Sequence, residues 1–169
     1  MSESNFIKND IIYIYGEFDN SISKEIMPFF QQKVFELIKT NKTTRENKDL
    51  TESAKDEILL KSKIQININS RGGQTDYLYP LLNIINLAKN NNIIIETISH
   101  IAYSCGSALA CVGTRGCRYI YEYSEHLLHL GTATVDVTDK VELQRAISGI
   151  QHFHNSTKAI YLNNSTLTE

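Results

Sequence analysis

The chain has 169 residues, of which 41% are hydrophobic and 21% are charged, so it can form one globular domain (residues 1–169) with a sizeable core. It carries 17 basic and 19 acidic side chains, and this net charge of −2 argues against a nucleic-acid partner. The apolar runs are shorter than the roughly 18 residues that cross a bilayer, and the first five residues show no secretory signal, so no membrane partner is expected.

Three cysteines, Cys105, Cys111 and Cys117, stand six residues apart. An odd number without a Cys-x-x-Cys pair argues against both a disulfide framework and a zinc site. We therefore expect no metal and a reducing, cytoplasmic location.

The first elements are a strand and a helix. Residues 11–15 are apolar and rich in residues that favour strands, and they end at Gly16. A helix then begins near Asn20 or Ser21, with an apolar stripe that reaches Ile38.

The segment 40–63 is dense in charged and polar residues. Segments of this composition are usually mobile surface, so we expect a solvated, charged insertion with a short helix near residues 53–60.

Strands and helices alternate along the rest of the chain. The predicted elements are a strand at 64–69, a helix at 78–88, a strand at 93–98, a short helix at 104–112, strands at 119–123 and 126–129, and a long helix capped by Thr138 or Asp139. Such alternation predicts an α/β fold with a largely parallel sheet.

The first motif with chemical potential is Asn-Ser-Arg-Gly-Gly at residues 69–73, between a strand and a helix. Paired glycines let the backbone approach a ligand, and amides at a helix start can face an anion. The alternative is a tight turn with a helix cap.

The second motif is Ala-Tyr-Ser-Cys-Gly-Ser-Ala at residues 102–108. A serine at a strand-to-helix turn, here Ser104, is exposed at the carboxyl edge of a sheet, and the N–H of Cys105 then points to where a tetrahedral oxyanion forms. The alternative is that the small residues serve packing and that Ser104 caps the helix.

Histidine supplies the third element. His126 and His129 are three residues apart in a predicted strand, so they should face opposite sides, and His129 stands at the strand's end. We interpret His100, His152 and His154 as structural or surface residues.

These motifs together resemble the ClpP family of self-compartmentalising serine proteases. The patterns Asn-Ser-x-Gly-Gly, Ala-x-Ser-x-Gly-Ser and Ser-x-x-x-x-His occur in order at 69–73, 102–107 and 124–129, and the resemblance spans about residues 11–162.

The resemblance implies a ClpP/crotonase-like ββα spiral with a protruding handle helix over residues 139–162. It implies Ser104 as nucleophile, His129 as general base, and an oxyanion hole made of the backbone N–H groups of Gly73 and Cys105. It also implies a homo-oligomer of stacked rings, a Clp-type ATPase as partner, a polypeptide substrate and no cofactor.

The chain departs from the family pattern at three points. Arg71 and Gly131 replace prolines, and Arg71 would put a cation near the peptide-binding strand. The family's triad aspartate follows the handle helix, beyond Glu169, whereas Asp136 and Asp139 are too near His129 in sequence. A fragment, a Ser–His dyad, an acid from another subunit and a loss of activity all remain open.

Three functions follow from these observations. The first is a serine peptidase that cuts unfolded polypeptides inside an oligomeric chamber. The second is a catalytically impaired scaffold or ring subunit that lacks the triad acid. The third, a crotonase-like acyl-CoA enzyme, leaves Ser104 and His129 unexplained.

Overall fold

The computed structural model describes residues 4–132 and 138–165, which form a five-stranded sheet and its helices. The elements are β1 (Phe6–Lys8), β2 (Ile11–Ile14), a π-helical turn (Ile22–Ile26), α1 (Met27–Glu46), α2 (Glu52–Leu60), β3 (Lys63–Ser70), α3 (Thr75–Asn90), β4 (Ile94–Tyr103), α4 (Cys105–Cys111), β5 (Arg118–Leu127) and α5 (Lys140–Asn164). The strands lie in chain order, with β2 to β5 parallel and β1 antiparallel to β2. The predicted α/β class is confirmed.

The core lies against one face of the sheet. Every second residue of β3, namely Ile64, Ile66 and Ile68, is buried, as the alternating sequence predicts. Phe30 of α1 and Ile85 of α3 belong to the same apolar cluster. This packing fixes the point where β3 ends, and the candidate site lies there.

A β-hairpin at the start of the chain was not predicted. Asn9 and Asp10 both have positive φ, 52° and 62°, as the two-residue turn of a hairpin requires. Phe6 stacks on Tyr13 across the hairpin, with ring centroids 4.6 Å apart.

Most residues of the segment 40–63 are exposed, but the segment contains more helix than the single short one expected. Helix α1 continues to Glu46, and its residues Asn41 and Thr44 are buried. Ser62 donates a hydrogen bond to Asn41 Oδ1 at 2.5 Å. The short helix expected near residues 53–60 is present as α2. Polar residues at helical spacing pack here, although their composition is typical of loops.

Two predicted strands, 119–123 and 126–129, are a single strand, β5. The chain has no glycine or proline between them, and a register shift opposite residues 99–101 of β4 absorbs the irregularity. His129 therefore follows the strand by two residues instead of ending it.

Helix α5 begins at the predicted cap. Asp139 Oδ1 accepts hydrogen bonds from the N–H groups of Val141 (2.7 Å) and Glu142 (2.9 Å). The apolar stripe of its first half is uncovered, with Leu143 45% and Ile147 48% exposed.

The first helix was predicted to begin near Asn20 or Ser21. Ser21 makes no capping hydrogen bond there and instead donates to Asp19. None of the helices within the described residues is long and apolar enough to cross a membrane.

Candidate active site

Ser104 forms the turn between β4 and α4. Its backbone has φ 53° and ψ −119°, a conformation that a residue with a side chain adopts only under constraint. Its N–H donates to the carbonyl of Leu127 at 3.0 Å, and its carbonyl accepts from the N–H of Ala108 at 3.1 Å. The end of β5 and the first turn of α4 thus hold the serine in a strained strand-to-helix turn, the geometry that presents a nucleophile in hydrolases.

The Ser104 side chain does not cap α4. It makes no capping hydrogen bond, and the residue is half-buried and lines a cavity of about 510 Å³. The alternative interpretation of Ser104 as a helix cap is therefore wrong.

Gly72 allows the end of β3 to pass against this turn. Its φ is +103°, and a Cβ at this position would lie 2.7 Å from Ser104 Cβ and 2.9 Å from the Tyr103 carbonyl oxygen. Only glycine fits such a conformation at this separation.

Gly73 is held by the backbone of Phe18. The Phe18 N–H donates to the Gly72 carbonyl, and the Phe18 carbonyl accepts from the Gln74 N–H, both at 2.8 Å. Phe18 therefore bonds to the Gly72 carbonyl and the Gln74 N–H, on either side of Gly73. The Gly73 N–H itself has no acceptor among the described residues. Cys105 is the first residue of α4, so its N–H has no acceptor within the helix. Both residues line the cavity beside Ser104, as an oxyanion hole requires.

The cavity lies between the loop after β3, the start of α4, the segment after β5 and one face of α5. Its lining comprises Gly73, Gln74, Thr75, Asp76, Leu78, Ser104, Cys105, Ala108, His129, Leu130, Gly131, Thr132, Phe153, Thr157 and Tyr161. The last three are spaced four residues apart and share one face of α5.

His129 lines the same cavity as Ser104 and is exposed. The sequence predicts a distance near 3 Å between an imidazole nitrogen of His129 and Ser104 Oγ. Within residues 4–132 and 138–165, no hydrogen bond joins this imidazole to Ser104 Oγ or to a carboxylate. Asp76 supplies a carboxylate to the cavity lining. Asp139 caps α5, and Asp136 lies outside the described residues.

His126 lies elsewhere, as predicted. Its Nε2 is 3.0 Å from Ser99 Oγ, and both side chains line a second cavity of about 350 Å³ that His129 does not reach. Burial lowers the pKa of His126, which disfavours its charged form at neutral pH.

The thiol of Cys105 points away from solvent. Its Sγ donates to the carbonyl of Gly73 at 3.3 Å, and the residue is 2% exposed. Burial raises the pKa of this thiol, although contacts with Ser104 and Gly73 oppose the rise. A protonated thiol is a poor nucleophile, so the side chain suited to attack here is the Ser104 hydroxyl.

Two departures from the family pattern have distinct surroundings. Gly131 has φ +84°, which proline cannot adopt, and a Cβ there would lie 2.9 Å from Phe153 Cζ of α5. Arg71 is exposed near Tyr103, whose hydroxyl donates to Glu125, and it is not part of the cavity lining.

Among the cavity residues that the sequence did not indicate, two have ionisable side chains, Asp76 and Tyr161. Asp76 stands three residues after Gly73 in the first turn of α3, so the helix start was a signal for it. Tyr161 contacts Ser107, 54 residues earlier, and no local pattern indicates that contact.

Comparison with known proteins gives one match to a family. The model of the Clp protease family matches residues 54–169, more than half of the chain. The matched region contains Gly73, Ser104, Cys105 and His129. No curated protein matches the chain.

Proposed function

The chain belongs to the Clp protease family, and we propose that it is a serine peptidase subunit that cleaves unfolded polypeptides inside an oligomeric chamber. The observation that carries the proposal is Ser104, held in a strained turn beside a cavity that His129 and the Gly73 and Cys105 amides also line. The chemistry needs no metal or cofactor. A cytoplasmic location and a Clp-type ATPase that delivers substrate are part of the same proposal.

The proposed reaction is acyl transfer. The His129 imidazole takes the proton of Ser104 Oγ as the oxygen attacks the peptide carbonyl, and the amides of Gly73 and Cys105 donate to the oxyanion. His129 then protonates the leaving amine, and water hydrolyses the acyl-enzyme. Each oxyanion donor contributes about 10²- to 10³-fold to the rate.

The imidazole of His129 has no carboxylate partner within the described residues. In Ser–His–Asp enzymes the acid holds the imidazole tautomer, and its loss costs on the order of 10⁴ in rate. This observation favours a second candidate function, a catalytically impaired ring subunit or scaffold that binds polypeptide without cutting it.

Hydrolysis of a short fluorogenic peptide and of an unfolded protein, at high enzyme concentration, separates the two candidates. Release of fluorophore in proportion to enzyme supports the peptidase. Binding of unfolded polypeptide without any cleavage supports the scaffold. Hydrolysis of an acyl-CoA thioester without hydrolysis of a peptide ester would instead indicate a crotonase-like enzyme.

The exposed stripe of α5 predicts a homo-oligomer, which we propose to be stacked rings. Leu143 and Ile147 are about half exposed, and an apolar helix face of this kind is poorly soluble unless another subunit covers it. Light scattering at tens of micromolar should therefore give a mass several times that of the 19.2 kDa chain. Leu143→Glu together with Ile147→Glu should reduce that mass, and a monodisperse wild-type monomer would contradict the assignment.

Cys105→Ala should retain most of the peptidase activity, within about threefold of wild type, because the backbone N–H remains when the thiol is removed. Activity is measured by peptide hydrolysis, and folding by thermal denaturation. Loss of turnover in a folded Cys105→Ala protein would require a role for the thiol itself.

A further inference from the structure

Tyr161 of helix α5 reaches the nucleophile turn from the far side of the cavity. It is 6% exposed, and its hydroxyl oxygen is 2.8 Å from Ser107 Oγ and 3.3 Å from the carbonyl oxygen of Ser104. Ser104 and Tyr161 are 57 residues apart in the chain. The contact therefore joins two distant segments of the chain at the candidate site.

The direction of these hydrogen bonds follows from the groups available. The Ser104 carbonyl accepts from Ala108 N–H at 3.1 Å, from Ser107 Oγ–H at 2.7 Å and, at the longer distance of 3.3 Å, from the Tyr161 hydroxyl. The single proton of Ser107 is thereby committed to Ser104. The Tyr161 hydroxyl consequently donates toward Ser107 Oγ and the Ser104 carbonyl oxygen, and both acceptors belong to the turn of the nucleophile.

Tyr161 and His129 line the same cavity. Burial is the largest influence on the pKa of Tyr161 and raises it, so the phenol stays protonated through neutral pH. The protonated Tyr161 hydroxyl thus acts as a donor toward the turn of the nucleophile.

We propose that Tyr161 is a positioning residue that fixes the backbone of the Ser104 turn against helix α5. Its hydroxyl contacts that turn at two oxygens, Ser107 Oγ and the Ser104 carbonyl. This inference rests on the proposed peptidase function.

Tyr161→Phe keeps the ring in the core and removes only the hydroxyl. We expect kcat for peptide hydrolysis to fall about 10- to 100-fold with KM changed less than about threefold, since small displacements of reacting groups cost rates of this order. Ser107→Ala should lower kcat similarly, and the double variant should lose little more than either single variant, because both changes break one network. Tyr123→Phe, at a tyrosine 83% exposed on β5, is the control and should leave kcat unchanged.

A second readout does not depend on turnover. Loss of the phenolic proton should move the carbonyl carbon resonance of Ser104 upfield in Tyr161→Phe and leave it in place in Tyr123→Phe. If kcat and this resonance both match wild type in Tyr161→Phe, the inference is overturned. An inactive wild-type protein in which the resonance still moves would refute the proposed function and leave the link between Tyr161 and Ser104 supported, whereas an unmoved resonance would refute that link.

Discussion

Ser104→Ala should abolish peptide hydrolysis, with a fall in kcat of about 10³-fold or more, while the protein remains folded. The reaction has no covalent route without Oγ, and removal of the nucleophile in serine proteases leaves only the rate enhancement that comes from the oxyanion hole and binding. The lost oxygen makes no capping bond to α4, so stability should change little. Fluorogenic peptide hydrolysis and thermal denaturation measure the two effects.

Ser53→Ala is the matched control, because Ser53 is an exposed serine of helix α2 outside the cavity. It should retain wild-type kcat. If Ser104→Ala kept more than a tenth of the wild-type activity, the nucleophile would have to lie elsewhere.

Gly73→Ala should reduce both activity and stability. Its φ is +141°, and a Cβ there would lie 2.6 Å from Phe18 N and 2.7 Å from the Phe18 carbonyl oxygen, so the backbone must move. The unfavourable conformation costs about 1–3 kcal/mol of unfolding free energy, and the overpacking costs a further 1–3 kcal/mol, roughly. Displacement of the Gly73 N–H should lower kcat about 10²- to 10³-fold.

Gly149→Ala on α5 separates these effects from a general effect of adding a methyl group. Apart from the nearby backbone of α5 itself, no atom of the described residues lies within 4 Å of a Cβ at Gly149, and alanine in a helix interior is favoured by about 0.5–1 kcal/mol over glycine. This control should be slightly more stable than wild type and fully active. Wild-type kcat in Gly73→Ala would exclude its amide from the oxyanion hole.

Local patterns predicted the elements on which the site depends. The alternation of isoleucine and polar residues predicted β3, and a capping residue at Thr138 or Asp139 predicted the start of α5, where Asp139 is the cap. The sequence around Ser104 predicted a strand-to-helix turn because short-range propensities act within a few residues. The order of strands and helices was then enough to predict a parallel sheet.

Features that depend on distant contacts or on unusual turns were not predictable in this way. The hairpin at Asn9 and Asp10 depends on two residues with positive φ, and the joined strand β5 depends on a register shift against β4. Asn41 and Thr44 are polar residues that tertiary packing buries. The link from Tyr161 to Ser107 requires α5 to lie across the site, which no local pattern specifies.

Covalent labelling with a fluorophosphonate, followed by mass mapping of the modified peptide, tests the central assignment most directly. The probe phosphonylates a serine that an adjacent base and oxyanion hole activate, so it does not require complete turnover. We expect one adduct, on Ser104, which is absent in Ser104→Ala and forms much more slowly in His129→Ala. An unlabelled Ser104 in the folded, assembled protein, or an adduct on another serine, would contradict the assignment.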